Sequence, residues 1–216
     1  MDVPYATSPL PDVAPVALPY ATASLPGVGG RIKARFEDFV VDEVLAYAPC
    51  GEGEHVYLWV EKRDATTPWA AKQLGRFFGV DSRDIGYAGM KDRRGLTGQW
   101  FSLPAHLVEP QALERCVRDA GAREGAQAVV APGVWVRRAS RHGNKIKRGH
   151  VRGNSFDVRI RALSVRGELA RQRVSSICAA LEGRGLPNFF GEQRFGKGGR
   201  TLQVGLRVVR GQEGVG

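Results

Sequence analysis

One carboxylate, Asp92, lies in the glycine-flanked run GYAGMKDRRGLTGQW (residues 86–100), with Lys91 before it and Arg93 and Arg94 after it. Three cations beside a single acid favour its ionised form. An ionised, positioned carboxylate can act as a nucleophile or a base. The same residues would also suit a surface turn whose ion pairs contribute little. Loop composition alone leaves both readings open.

A second cluster has a different chemistry. Between Arg137 and Arg152 lie seven basic residues, Arg137, Arg138, Arg141, Lys145, Lys147, Arg148 and Arg152, with no Asp or Glu among them. Glycines, histidines and Asn144 fill the gaps, so a phosphate backbone could approach closely and find donors. A solvated loop between charged strand edges is the plainer alternative. Charge over the whole chain weighs toward a polyanion: 32 Lys and Arg against 22 Asp and Glu give +10, with a pI near 10.0. Such an excess favours nucleic acid through counterion release. No basic recognition helix or zinc-finger spacing is present, so structured RNA fits better than a DNA major groove.

Cys50, Cys116 and Cys178 form no CxxC pair, and the four histidines are scattered. Neither a zinc site nor a disulfide framework is expected, and a reducing cytoplasm is the expected compartment. No apolar run is long enough to span a membrane. His55 has no neighbours that would complete a triad and reads as structural.

These groups need elements to hold them. Residues 1–29, rich in proline and alanine, read as a flexible leader. FEDFVVDEV and GEGEHVYLWVEK read as strands. Thr66 or Thr67 can cap a helix with Pro68 in its first turn, running through WAAKQLGRFF to Gly79. IGYAG and WFSLP read as strands on either side of the Asp92 loop, and residues 109–122 as a helix. VWVRRAS and NSFDVRIRAL read as strands around the basic segment. GELARQRVSSICAALEG, with Leu169, Val174, Ile177, Cys178 and Leu181 on one face, reads as the clearest amphipathic helix. The order of elements predicts an α+β fold with a mixed, largely antiparallel sheet flanked by helices.

The run GYAGMKDRRGLTGQW resembles the signature loop of the TruD family of tRNA pseudouridine synthases. GRIKARFEDFVVDE, RHGNKIKRGHVRGNSFDVRIR and LPNFFGEQRFGKGG resemble further motifs of that family, in the family's order, over residues 30–200. The resemblance implies that Asp92 is the nucleophile, that Lys33 supports its charge, and that Phe39, Asn154 and Phe156 hold a flipped uridine. It also implies tRNA as partner, with uridine 13 as target; Lys91, Arg93, Arg94, Arg141, Lys145, Lys147 and Arg148 are the basic residues expected to contact it. No metal or organic cofactor is implied. A uridine must leave its stack before its glycosidic bond can be handled, and an aromatic face beside an amide suits a pyrimidine.

The resemblance also implies departures. Residues 30–200 correspond to the N-terminal portion of the catalytic domain, and 201–216 to a tail where an inserted domain would begin. The catalytic fold is therefore expected to be incomplete, with an unpaired sheet edge and exposed apolar surface. Gly95 and Gly98 stand where relatives carry bulkier residues, which predicts a looser loop. An RNA-binding chain without catalysis is the second reading, and a nucleoside or glycoside hydrolase the third. The lack of a second well-placed acid disfavours the hydrolase.

Overall fold

A computed structural model describes residues 20–121, 127–187, 189, 192–195 and 200–211. Most of the leader (1–19), much of the LPNFFGEQRFGKGG motif and residues 212–216 lie outside the described residues. Two compact units are present, residues 29–164 and a second formed by 20–28 with 165–211.

The first unit is a seven-stranded sheet. β1 (Phe39–Leu45), β2 (His55–Arg63), β3 (Gly86–Tyr87), β4 (Leu96–Pro104), β5 (Ala128–Ala131), β6 (Val134–His142) and β7 (Val151–Val158) follow in chain order. Their spatial order is β5-β6-β2-β4-β1-β7, with β3 beside β4. Every pairing is antiparallel except β1 with β4. The fold is the mixed, largely antiparallel α+β arrangement expected.

Strand alternation selects one face for the core. Val56, Leu58 and Val60 of β2 pair with Leu103, Phe101 and Gln99 of β4, and all six are buried. Helix α1 (Thr67–Phe78) adds Ala70, Ala71, Leu74 and Phe78 to this core, and α2 (Pro110–Gly121) adds Ala112 and Cys116. Thr66 caps α1 by accepting from the Trp69 amide, Pro68 sits in the first turn, and Gly79 closes the helix with φ of 73°. That left-handed conformation suits a residue without Cβ.

Among the described residues the sheet edge at β7 pairs with β1 alone, and Phe156 (59%), Val158 (40%) and Ile160 (46%) are exposed along it. The second unit holds α3 (Gly167–Arg184) and α4 (Arg200–Val209). Arg173 and Arg184 of α3 donate to the carbonyls of Gly27 and Ala21. The predicted apolar face of α3 is not packed as expected: Ala170 is its one buried residue, while Leu169 and Val174 are exposed. Leu169 falls outside the stripe formed by positions 174, 177, 178 and 181, of which Ile177 and Leu181 are half-buried and Val174 and Cys178 exposed. No element was read from the sequence of the tail; it holds α4, on which Leu202, Leu206 and Val209 share a helical spacing.

Candidate active site

The loop carrying Asp92 runs from β3 to β4 over the polar end of the core face. Continuing the alternation of β2, Lys62 faces inward after Val60, opposite the buried Thr97 of β4. Glu43 of β1 alternates with buried Val41 on the same face and is itself buried.

Several side chains from this end grip the loop. Gln99 donates to the Gly89 carbonyl at 3.2 Å, and the Lys91 amide donates to Thr67 Oγ1 at 3.0 Å. Thr67 in turn donates to Gln99 Oε1 at 2.8 Å. Lys62 Nζ donates to the carbonyls of Asp92 at 2.8 Å, Lys91 at 3.4 Å and Ala65 at 2.7 Å. Lys91 Nζ pairs with Glu43 Oε2 at 2.7 Å, and Glu43 Oε1 accepts the Trp100 amide. Fixed backbone and buried anchors leave the Asp92 carboxylate as the loop's outward-facing acid, 41% exposed.

Lys33 meets it there. Its ammonium is 3.1 Å from Asp92 Oδ2 and 3.8 Å from the centre of the Phe39 ring. Phe39 makes an edge-on contact with Phe156 at 6.1 Å. The β1–β7 register pairs Phe39 with Val158, Val41 with Phe156, and Glu43 with Asn154, so these residues share one sheet face. Asn154 is exposed, two residues from Phe156. Lys33 is held by its flanks: Arg31 and Arg161 exchange backbone hydrogen bonds, and Arg161 Nε donates to the buried Asp38 at 2.6 Å. That guanidinium holds the Asp38 carboxyl below the usual carboxylate range, against the opposing effect of burial. Between these two fastenings Lys33 adopts φ of 54°, a left-handed conformation uncommon outside glycine.

The structure thus brings together Asp92, Lys33, Phe39 and Phe156, with Asn154 on the same face. Lys91 differs from its expected phosphate-binding role. Its side chain is 6% exposed and its charge is neutralised by Glu43, so it serves the interior. Arg93 is exposed and pairs with Asp64 at 2.8 Å, and Arg94 is exposed. The predicted loosening at Gly95 and Gly98 is also absent. A Cβ on Gly95 would lie 2.7 Å from the Phe39 carbonyl oxygen, and one on Gly98 would strike the Asp42 carboxylate and the Trp59 ring. Close packing, rather than freedom, accounts for both glycines.

The basic segment divides in two. Arg137 pairs with Glu61 at 2.6 Å, and Arg138 lies over the rings of Trp59 and Trp100. Beyond β6, Lys145, Lys147 and Arg148 line an open groove of about 500 Å³ together with Arg83 and Pro68. Lys147 and Arg148 are exposed, while Lys145 donates to the Arg83 carbonyl. Arg141 is exposed and reaches the Gly53 carbonyl. Tyr47 holds this segment in place by bonding His150 Nδ1 at 2.7 Å and the Asn144 amide at 3.1 Å.

Comparison with known proteins bears on this arrangement. The family profile described as tRNA pseudouridine synthase D (TruD) matches residues 16–214. The chain belongs to the TruD family. It is 47% identical over 196 residues to the tRNA pseudouridine synthase D of Anaeromyxobacter dehalogenans strain 2CP-C, covering 90% of this chain and 50% of that protein. With the Geobacter metallireducens protein of the same name it shares 45% identity, covering 89% and 43%. Its fold matches the crystal structure of a TruD-type protein from Methanosarcina mazei with a TM-score of 0.71 and 26% identity, covering 90% of this chain and 41% of that one. This TruD-family chain spans about half the length of the curated relatives it matches.

Sequence reasoning missed the residues beneath the loop: Lys62, Glu43, Thr67 and Gln99. A signal was present for two of them. Lys62 continues the inward series Val56, Leu58, Val60, and Glu43 follows Val41 at the same period, so each is a charge on a core-facing strand position.

Proposed function

We propose that this TruD-family chain carries the active site of a tRNA pseudouridine synthase that isomerises a uridine of tRNA, by resemblance uridine 13, with Asp92 as nucleophile. The observation that carries this reading is the Lys33 ammonium 3.1 Å from the Asp92 carboxylate and directly over Phe39. The relatives' shared name, tRNA pseudouridine synthase D, agrees with it.

In the reaction the N1–C1′ bond of uridine breaks and a C5–C1′ bond forms. The hydrogen on C5 leaves and N1 gains one, so atoms balance without a co-reactant. Lys33 orients the Asp92 carboxylate toward a uridine brought out of its stack. Phe39 and Phe156 offer the uracil an apolar face, and the Asn154 amide can read its edge. Lys145, Lys147, Arg148, Arg141, Arg93 and Arg94 supply phosphate contacts outside this centre. The reading implies the cytoplasm, where tRNA is available.

Nucleoside mass spectrometry of unmodified tRNA transcript, incubated with this chain or with Asp92→Asn, tests the proposal. Pseudouridine from the parent alone is the expected result. The chain's span of half its relatives favours one other reading, an RNA-binding unit without turnover. Bound tRNA and no product from the parent would establish that reading instead.

A further inference from the structure

Lys62 presents a physical puzzle that the proposed reaction does not itself explain. Its residue is 1% exposed, and no ion pair accompanies it among the described residues. Burying an ammonium without a hydrogen-bonded counter-charge is costly, and an apolar side chain would continue the β2 core pattern more cheaply. All three of its ammonium protons are instead directed at backbone carbonyls. One belongs to Ala65, at the turn leading to α1, and two belong to Lys91 and Asp92.

We propose that Lys62 is a positioning residue for Asp92, tying the loop backbone at the nucleophile to the core and placing a buried positive charge beneath the loop that carries its carboxylate. The proposal rests on the reading of Asp92 as nucleophile. Three features support it. The hydrogen bond at 2.8 Å is to the carbonyl of Asp92 itself, so a shift of this bond moves the reacting carboxylate. The neighbouring cation Lys91 is already neutralised by Glu43, and Lys33 approaches Asp92 from the exposed side. Asp92 thus has a buried cation bonded to its backbone carbonyl and a partly exposed one bonded to its carboxylate.

The ionisation of Lys62 agrees with this geometry. Burial pushes its ammonium down to about 8, while the Asp92 carboxylate raises it and Lys91 lowers it further. A neutral amine keeps only two N–H donors and no charge. Above about pH 8, one of the three hydrogen bonds to carbonyls and the electrostatic support of Asp92 disappear together.

Lys62→Met removes donors and charge, and Lys62→Gln keeps two donors without the charge. With tRNA transcript as substrate, kcat is expected to fall about 10²-fold in either variant, the scale of a small misplacement of a reacting group. KM should stay within about threefold, since Lys62 acts on Asp92 and not on RNA. The parent's activity should decline above about pH 8, and that decline should be missing in Lys62→Gln. An unchanged kcat in a folded variant, or an alkaline decline that persists in Lys62→Gln, would overturn the proposal.

A second measurement is independent of turnover. The Lys62 side-chain NMR titration, followed in the parent and in Asp92→Asn, should move to lower pH when the Asp92 charge is removed. No movement would sink the proposed coupling even if the parent makes pseudouridine. Conversely, a shifted titration in a parent that makes no product would uphold the coupling while overturning the synthase reading.

Discussion

Glu43 on β1 and Lys91 of the Asp92 loop form an ion pair of 2.7 Å whose side chains are 0% and 6% exposed. The Trp100 amide satisfies the other Glu43 oxygen, so the carboxylate is bonded on both sides. Desolvating two charges is expensive, and such a pair contributes little net stability compared with apolar residues of similar volume. Breaking it is a different matter, because one charge is left buried alone. Glu43→Ala and Lys91→Met are each expected to lower stability by about 3–5 kcal/mol in urea denaturation. The double variant Glu43→Leu/Lys91→Met should regain most of that loss. In the same preparations, Arg94→Ala should leave stability within about 0.5 kcal/mol, as an exposed loop residue would.

The contrast between Lys91 and Arg94 marks where sequence reading stops. Both flank the same acid, and a charge count cannot say which cation turns inward. The choice is made by Glu43, 48 residues away in sequence and brought over the loop by the parallel pairing of β1 with β4. Elements with local signals were legible: the Thr66 cap, Pro68 and Gly79 delimit α1 within the chain itself. The joining of Lys33 to Asp92 was legible only through family resemblance, since 59 residues separate them. The hydrogen bonds from Lys62 to carbonyls left no signature beyond a lysine in phase with Val56, Leu58 and Val60. On α3 the apolar residues only looked periodic: Leu169 is out of phase with positions 174, 177, 178 and 181, and polar residues are spread round the helix, so no strong apolar face results.

Lys33 separates stability from chemistry. Its pair with Asp92 is partly exposed on both sides, so it should contribute no more than about 1 kcal/mol to folding. Its backbone φ of 54° is strained for a residue with Cβ. Lys33→Gly should therefore fold with stability equal to or above the parent, by up to about 1 kcal/mol. Pseudouridine formation by that variant should nevertheless fall about 10²-fold, because the charge beside Asp92 is gone. Thermal melts and single-turnover assays on one preparation check both halves.

Asp38 gives the first unit an acid-sensitive fastening. The Arg161 guanidinium holds its carboxyl below the ordinary aspartate value of about 3.9. A lowered folded value means the unfolded chain takes up the proton first as the solution is acidified. The stabilisation from this pair is therefore complete above about pH 3.9 and is lost as pH falls through the lower folded value. Asp38→Asn should be less stable than the parent at pH 6, and the gap should narrow steadily below about pH 3.9. Denaturant titrations at pH 6, 4 and 3 measure this, and a gap independent of pH would rule out the pair as its source.

Lys147 and Arg148 are exposed at the rim of the groove that also contains Arg83, whereas Arg137 is paired with Glu61 on the sheet. Under the proposed reading Lys147 and Arg148, unlike Arg137, meet a phosphate and displace its counterions. Lys147→Ala/Arg148→Ala should weaken tRNA binding and reduce the slope of log K against log salt by about 0.7–0.9 for each phosphate no longer neutralised. Because counterion release carries no sequence information, the weakening should be similar for tRNA and for an unrelated structured RNA. Arg137→Ala should leave that slope unchanged and lower stability instead, since it strands Glu61 beside the sheet. Filter-binding isotherms between about 50 and 200 mM salt separate the two classes. A full slope in the double variant would move the RNA-binding surface away from this groove and toward Arg93 and Arg94.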